Sequence, residues 1–362
     1  DITVFSRAAK QMDLLYDSQH VSDSRQGALL GVSPDSTTRA RDSFHHFQAL
    51  WSDRVGPSTL WRARFGAVNA ILSSALQSAS GVPSTIDLPQ LTLAGSAPLA
   101  FSATYTTYEA QARLQTLQTS PFGHHVIDVG FDWQRSPISN HWYALDSMQQ
   151  WLVNGTPSDV LVWNTPARTQ AHVQNVAEYI EDVWKPARWI ALPLGLRVST
   201  STGQANGAAN AIQWTTVEPR AGFVIPLAVP GFRIEGSWSR YGHLLQGRYL
   251  DWGNAAAPGG QLFAWNDANH DGIAQPHEFG PLLRVFGGPY SAVDPHLRRP
   301  YTDEISFGVE ERLGNTFTAS VRFLRRDDHR LIAQQNLGVP NGAYTPVSYL
   351  DPGNDGIPGT PD

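Results

Sequence analysis

Every second residue from Ile190 to Val198 is a large aliphatic: Ile190, Leu192, Leu194, Leu196 and Val198. Between them stand Ala191, Pro193, Gly195 and Arg197, which are small or charged. Side chains alternate between the two faces of a strand, so this segment predicts a strand with one apolar and one wet face. The rhythm recurs. Trp61, Ala63, Phe65 and Ala67 alternate with Arg62, Arg64 and Gly66; Ile127, Val129, Phe131 and Trp133 alternate with Asp128, Gly130, Asp132 and Gln134. Phe232, Ile234 and Trp238 alternate with Arg233, Glu235, Ser237 and Ser239. Ile305, Phe307 and Val309 alternate with Ser306, Gly308 and Glu310, and Phe317, Ala319, Val321 and Phe323 with Thr318, Ser320, Arg322 and Leu324. Segments of about ten residues match a tilted membrane-crossing strand. Trp61, Trp133, Trp184, Trp189, Trp238 and Tyr241 stand near segment ends, where aromatics suit a water–lipid interface. A soluble sandwich or propeller has the same alternation, so the pattern alone leaves both architectures open.

Punctuation between the segments follows hairpin rules. Gly314-Asn315 joins Glu304–Leu313 to Thr316–Leu324 as a two-residue turn, Val229-Pro230-Gly231 is a similarly short connection, and Lys185-Pro186-Ala187-Arg188 separates two strands. Residues 199–216 and 243–300 read as long loops, and the polar, Ser/Asp-rich stretch 15–45 as another. Val68, Ile71, Leu72 and Leu76 within 67–82 are also compatible with a short helix. Short turns on one side and long loops on the other are the arrangement of outer-membrane barrels.

Composition narrows the class. Charged residues make up only 16% of the 362 residues, low for a soluble domain. The 12 Trp, 11 Tyr and 15 Phe are enough to furnish aromatic girdles. No apolar run approaches the eighteen or so residues of a membrane helix. A net charge of −6 with no basic block argues against a nucleic-acid partner, and the absence of cysteine rules out disulfides and thiolate metal sites. The chain opens Asp-Ile-Thr-Val-Phe, with neither Met nor a leader pattern, and stops at Pro361-Asp362 inside a Gly/Pro/Asp-rich stretch. The expectation is that residues 1–362 are part of one β-barrel domain, an internal fragment missing its signal peptide, an N-terminal portion and its last strands.

One motif carries sharp chemistry. Asp267-Ala268-Asn269-His270-Asp271-Gly272-Ile273-Ala274-Gln275-Pro276-His277-Glu278 fits the calcium-loop pattern D-x-[DN]-x-[DN]-G-x5-E at each fixed position. Calcium takes six to eight hard oxygens. Asp267, Asn269 and Asp271 offer side-chain oxygens, Ile273 its carbonyl, Gln275 or a water another, and Glu278 a bidentate closure. The flanks are not helical in pattern, so this reads as a structural calcium loop mounted on a β protein. The competing reading is a solvated acidic turn. Residues 351–362 echo the motif with Asp351, Asp355 and Asp362, but Gly353 replaces the third ligand, so this second calcium reading is the weaker.

Catalytic patterns are missing: the chain contains no G-x-S-x-G, P-loop, H-E-x-x-H or G-x-G-x-x-G. His45-His46 and His124-His125 are neighbours whose side chains leave a strand on opposite faces. Glu178, Glu181 and Asp182 suggest a glycosidase pair, but read better as lumen-facing or rim charges. Arg62, Arg64, Arg197, Arg233 and Arg322 fall on the wet faces of their strands.

The C-terminal half carries a resemblance. Asp294-Pro295-His296-Leu297-Arg298-Arg299-Pro300-Tyr301-Thr302-Asp303-Glu304 through Gly308-Val309-Glu310 resembles a strand of TonB-dependent outer-membrane receptors of the Oar-like type. Asp182-Val183-Trp184 with Leu194-Gly195-Leu196-Arg197, Pro219-Arg220-Ala221-Gly222, Asn154-Gly155-Thr156-Pro157 with Trp163-Asn164-Thr165-Pro166, the Asn266–Gly272 loop and Tyr344-Thr345-Pro346-Val347 are similar to that family in order and spacing. The likeness covers about residues 120–362 and is vague before that.

The resemblance implies an all-β, antiparallel transmembrane barrel of about 22 strands around a plug, of which this chain supplies about 12–14. It implies a receptor and transporter in the bacterial outer membrane, not an enzyme, taking up a large ligand with energy delivered through TonB. The implied partners are outer-membrane lipid, the receptor's own plug domain, the TonB complex and an unknown extracellular ligand. No TonB box, plug or terminal aromatic strand is visible. The alternative class is a secreted soluble β protein with a calcium loop, carbohydrate-binding or polysaccharide-degrading. Geometry separates the two. A receptor leaves Leu192, Leu194, Leu196, Phe232, Ile234, Phe307, Val309, Phe317 and Val321 facing outward, whereas a soluble protein buries Ile190, Leu192, Leu194, Phe307 and Val309 under a second layer.

Overall fold

The computed structural model describes residues 2–7, 10–77, 81–209, 211–227, 229, 231–313, 316–339 and 341–343. The strands are β1 (Ile2–Arg7), β2 (Lys10–Gln26), β3 (Thr38–Val55), β4 (Thr59–Leu76), β5 (Ser84–Asp87), β6 (Thr92–Ala94), β7 (Ala100–Ser120), β8 (Gly123–Tyr143), β9 (Met148–Val153), β10 (Thr156–Trp163), β11 (Ala167–Ala187), β12 (Ile190–Ala205), β13 (Ile212–Pro226), β14 (Phe232–Gly242), β15 (Gly259–Trp265), β16 (Phe279–Gly287), β17 (Tyr301–Leu313) and β18 (Phe317–His329). Twelve of them form one antiparallel sheet in the order β1-β2-β3-β4-β7-β8-β11-β12-β13-β14-β17-β18. The other six, all borne on connections between those twelve, form a second sheet in the order β16-β15-β10-β9-β5-β6.

The large sheet is an up-and-down meander with unequal ends. At one end the connections are short: Gly56–Ser58, Pro121-Phe122 and Arg188-Trp189 each join neighbouring strands. At the other end lie 77–99, 144–166 and 243–300, which carry the second sheet. Strands are slanted to the line of their pairing. One directly paired row runs Val55, Thr59, Thr116, Ile127, Asp182, Leu194, Ala221, Trp238, Ile305, Arg325. It starts at the last residue of β3, beside a short turn, and finishes close to the opposite end of β18. A stagger of this sense is what a sheet needs to close into a barrel.

The two faces differ as the alternation predicts. Leu194, Leu196, Val198, Ile180, Val129, Phe131, Ile305, Phe307, Val321 and Phe323 share one face and are all exposed. Leu194 is 44% exposed and has no second layer over it. Those apolar segments cover no core, which removes the soluble-sandwich geometry. Compact clusters form instead where the long connections fold. Val173, Ala205, Ile212, Trp214, Leu245 and Leu250 make one, and Val160, Trp265 and Ala274 make another in the second sheet.

Several sequence expectations are corrected. Residues 15–45 are mostly β2 and β3, and the loop is confined to 27–37. The stretch 199–216 is likewise mostly strand, with β12 reaching Ala205 and β13 starting at Ile212. Both mistakes have one cause: where strands extend past the apolar band, both faces are polar and the alternation vanishes although the ladder continues. The helical option for 67–82 is also wrong, because β4 continues to Leu76 in unbroken register with β3. Apolar residues at helical spacing belong here to both faces of a strand. The Gly314-Asn315 turn lies outside the described residues.

Candidate functional site: a paired polar wall under an infolded loop

The wet face of the large sheet is organised by ion pairs. Arg64 meets Glu109 (3.1 Å), Arg113 meets Asp128, Arg197 meets Asp132 (2.5 Å), Arg220 meets Glu181 (2.9 Å), Arg233 meets Glu310 (2.9 Å), Arg326 meets Glu304 (2.6 Å) and Arg322 meets Glu235. Some of these pairs skip a strand. Arg220 on β13 reaches Glu181 on β11 across Gly195 of β12, directly opposite both. Arg322 on β18 reaches Glu235 on β14 across Gly308 of β17 in the same way. A Cβ at Gly195 would lie 3.1 Å from Glu181 Cγ, and one at Gly308 would lie 3.3 Å from Glu235. Glycine leaves the gap through which the longer side chains meet. The Tyr179 ring lies over Gly130, and Arg197 stands 5.8 Å from that ring on its way to Asp132.

The long connection 243–300 folds inward onto this face. Leu245 and Leu250 pack at Gly203, against Val173, Ala205 and Trp214. Trp214 Nε1 donates to Leu297 O at 3.2 Å. Arg299 then closes the connection: its side chain is 6% exposed, as is that of Glu218, 3.7 Å away. It donates to Ser199 Oγ (2.6 Å), His243 O (2.7 Å), Thr216 Oγ1 (3.3 Å) and Gly242 O (3.3 Å), while Ser199 Oγ donates to Glu218. Below it opens a recess of ≈ 210 Å³ lined by Asp132, Gln134, Asn175, Arg197, Ser201 and Glu218 among others. Asn175 bridges the wall, donating to Gln134 Oε1 (3.1 Å) and accepting from Ser201 Oγ (2.6 Å). A surface of paired charges, amides and hydroxyls can bind a polar body through many moderate contacts. Asp251, on the same connection, is deprived of solvent, and burial pushes its carboxyl up to about 6.

The calcium-pattern loop sits on the second sheet. Gly272 N donates to Asp267 Oδ2 (3.1 Å), Asp271 N to Asn269 Oδ1 (3.0 Å), Ile273 N to Asp271 Oδ1 (2.8 Å), and Gln275 Nε2 to Asp271 Oδ2 (2.7 Å). Gly272 takes φ +71°, the left-handed turn the pattern requires. Buried Gln150 of β9 clamps the far side, donating to Gly272 O (2.9 Å) and accepting from Ala274 N (3.0 Å). Thus Asp267, Asn269, Asp271 and Gln275 are brought together. Glu278 is buried beneath them and accepts from Trp265 Nε1 (3.2 Å), Ala268 N (3.0 Å) and Gln275 N (3.2 Å). Burial works against its ionisation, but these donors outweigh it and hold the carboxyl below the usual carboxylate range. Among the described residues no three His, Asp or Glu side chains converge as a metal cluster. One observation favours an ion nonetheless: Asp267 Oδ1 is buried with no hydrogen-bond partner. Asp351, Asp355 and Asp362 lie outside the described residues.

Other singled-out residues separate. His45 lies on the apolar face, 3.0 Å from Tyr16 Oη. His125 Nδ1 lies 2.7 Å from Asp182 Oδ2, and His124 Nδ1 is 3.0 Å from Thr119 Oγ1. Glu181 faces the polar wall, but Glu178 and Asp182 share the face of Ile180 and are not lumen-facing. Pattern reading missed Arg299, Ser199 and Glu218 as a unit. Its one signal was the Arg-Arg-Pro-Tyr-Thr-Asp-Glu run just before β17.

No protein-family model matches the sequence, and no curated protein does. Solved structures match in shape. The outer membrane transporter YddB from Escherichia coli aligns at TM-score 0.59 and 13% identity, over 90% of this chain and 39% of that one. The ferric-catecholate import receptor Fiu from E. coli K12 aligns at 0.54 and 11%, over 91% and 50%. BauA, the ferric preacinetobactin receptor from Acinetobacter baumannii, aligns at 0.53 and 12%, over 98% and 47%. The chain thus spans about half or less of each neighbour's length. It has the all-β, antiparallel fold of an outer-membrane receptor barrel.

Proposed function

We propose that this chain is barrel wall and extracellular cap of a TonB-dependent outer-membrane receptor of the Oar-like type, which imports a large ligand with energy delivered through TonB. The observation that carries this reading is the split of one slanted meander into an uncovered apolar face and an ion-paired polar face, with short turns at one end and folded connections at the other. A lipid-facing band and a wet lumen require that split. The apolar face meets outer-membrane lipid, the paired wall faces a plug domain, and the infolded connection 243–300 with the second sheet meets the ligand outside. The test is binding of the TonB C-terminal domain to the full-length receptor purified in detergent from outer membranes. Saturable binding is expected. A receptor that fractionates as a soluble protein, or one that binds no TonB, overturns the reading.

We also propose structural calcium in the 267–278 loop, held by Asp267, Asn269, Asp271, the Ile273 carbonyl and Gln275, with Glu278 organising the loop from beneath. The orphaned Asp267 Oδ1 carries this reading. The ion supplies charge compensation to a loop with little apolar content. Titration of chelator-treated full-length receptor should show binding in the extracellular range, about 0.1–1 mM, that Asp271→Ala removes. No binding by the wild-type protein at about 10 mM rejects the site.

A further inference from the structure

The outer face of the large sheet is sorted by charge along its strands. On β8 the outward residues run Ile127, Val129, Phe131 and Trp133, then Arg135, Pro137, Ser139 and His141. On β11 they run Ile180, Glu178 and Val176, then Gln174, His172, Gln170 and Arg168. On β3 they run Trp51, Ala49, Phe47, His45 and Ser43, then Arg41 and Arg39. Each strand turns polar toward the end that bears the long connections, and Trp133 stands at the border as an interfacial aromatic does. On the strands of the large sheet from β3 to β13, the outward carboxylates are Asp53, Glu178 and Asp182, all on the short-turn side of this border. The outward arginines of the same strands, Arg39, Arg41, Arg135 and Arg168, all lie on the other side, where no outward carboxylate accompanies them among the described residues.

These arginines are unanswered within the chain. Arg41, Arg135 and Arg168 are exposed, and their side chains make no hydrogen bond or ion pair among the described residues; Arg39 donates only to Leu76 O (3.2 Å). On β8 and β11 they stand among further donors. Arg168 faces His141 directly across the ladder, at a Cβ separation of about 5 Å, and His172 is the diagonal neighbour of Arg135, at about 7–8 Å. A recess of ≈ 530 Å³ opens on these strands, lined by Ser139, His141, Arg168, Gln170 and Asn206 among others. His141 Nε2 has no hydrogen-bond partner there. Guanidinium groups with imidazole and amide donors beside them, and no carboxylate, form a phosphate-binding set. Position selects whose phosphate it is. A belt directly beyond the apolar band, on the side of the long connections, meets the headgroups of the outer leaflet. The recurrence of the belt on β3, with β4 and β7 between it and β8, fits a lipid that surrounds the wall, whereas one protein partner covers one side only.

We propose that the loop-side outer face of β8 and β11 binds the phosphate groups of an outer-leaflet lipid, with Arg135 and Arg168 as the charged contacts. The inference rests on the barrel reading above. The full-length receptor, extracted from outer membranes in a nonionic detergent, is titrated with diphosphorylated lipid A, with its dephosphorylated form and with inorganic phosphate, and bound lipid is counted by native mass spectrometry. Heat-modifiable gel mobility shows that each variant is folded. The phosphorylated lipid should bind about tenfold or more tightly than the dephosphorylated one. A surface arginine is worth about fivefold in affinity for an anionic lipid, so Arg135→Gln with Arg168→Gln should weaken that binding about 25-fold. Arg62→Gln with Lys185→Gln removes two charges from the inward face and should change it by less than about threefold. Equal affinity for the two lipids, an equal loss in the two double variants, or inorganic phosphate competing at the lipid's own concentration overturns the inference and leaves the barrel standing. So does a protein that stays bound to this face and leaves with the Arg135 and Arg168 changes. Fractionation of the receptor as a soluble protein overturns the barrel reading and this inference with it.

Discussion

Replacing Arg299 with methionine should release the 243–300 connection and leave the wall intact. Methionine keeps much of the stem volume and removes the guanidinium. Three losses follow. The hydrogen bonds to Ser199 Oγ at 2.6 Å and His243 O at 2.7 Å disappear, and Glu218, with a side chain 6% exposed, loses its cation. Breaking a buried pair from one side costs about 3–5 kcal/mol. Ser199 Oγ still donates to Glu218, and the recess alongside admits water, so the lower end applies. At about 1.4 kcal/mol per decade, 3 kcal/mol raises the opening equilibrium about 100-fold. Opening is local, because the wall ladders do not depend on Arg299. Hydrogen exchange on the full-length receptor reads it at the amides of His243, Tyr249 and Ala257, which bond to Pro300 O (2.9 Å), Gln246 O (3.0 Å) and Asn254 O (3.1 Å). The β8–β11 ladder serves as reference. Adding Glu218→Gln to Arg299→Met should cost less than the sum of the single changes, since the stranded charge is then removed too. A change under about threefold at these amides, or an equal change in the wall, refutes the reasoning.

Gly130→Ala drives a Cβ into the Tyr179 ring and should destabilise the barrel by about 1–3 kcal/mol in urea unfolding, with much of the loss recovered by Tyr179→Ala. Asp251 has its carboxyl raised to about 6 against an ordinary value near 4, so its contribution is fully present below about pH 4 and lost as pH rises through 6. Exchange in the 243–300 connection, corrected for its intrinsic rate, should therefore accelerate over that window, and Asp251→Asn should flatten the profile. Leu194→Arg places a charge in the lipid band and should cost about 2–4 kcal/mol of folding into liposomes; a cost under about 0.5 kcal/mol would mean that Leu194 does not meet lipid.

The sequence revealed the wall wherever lipid imposes a period of two. Leu192 through Val198, Ile305 through Val309 and Phe317 through Phe323 read correctly because water is excluded from one face only. Legibility ended where that constraint ends. The upper parts of β2, β3, β12 and β13 are wet on both sides, so strand and loop look alike in composition. The second sheet was invisible for a related reason. Its strands come from three distant connections, β5 even pairs in parallel with β9, and no local pattern encodes which loop meets which. The Asp267–Gly272 turn was legible because it is local chemistry. The Arg299–Ser199–Glu218 unit was not, because it joins residues about a hundred positions apart.

The glycine gaps at Gly195 and Gly308 make the unit of assembly larger than a hairpin. Arg220 cannot find Glu181 until β11, β12 and β13 are all in place, and Arg322 cannot find Glu235 until β14, β17 and β18 are. Each clamp then inspects register across three strands at once, since a slip of one residue turns a charge out toward lipid. A strand pair that reaches the membrane early carries unanswered charges on its wet side, and these are answered only by the correct third strand. Proofreading of this kind favours insertion in triplets, and it ties the tolerance of a single small residue to the fidelity of the whole wall.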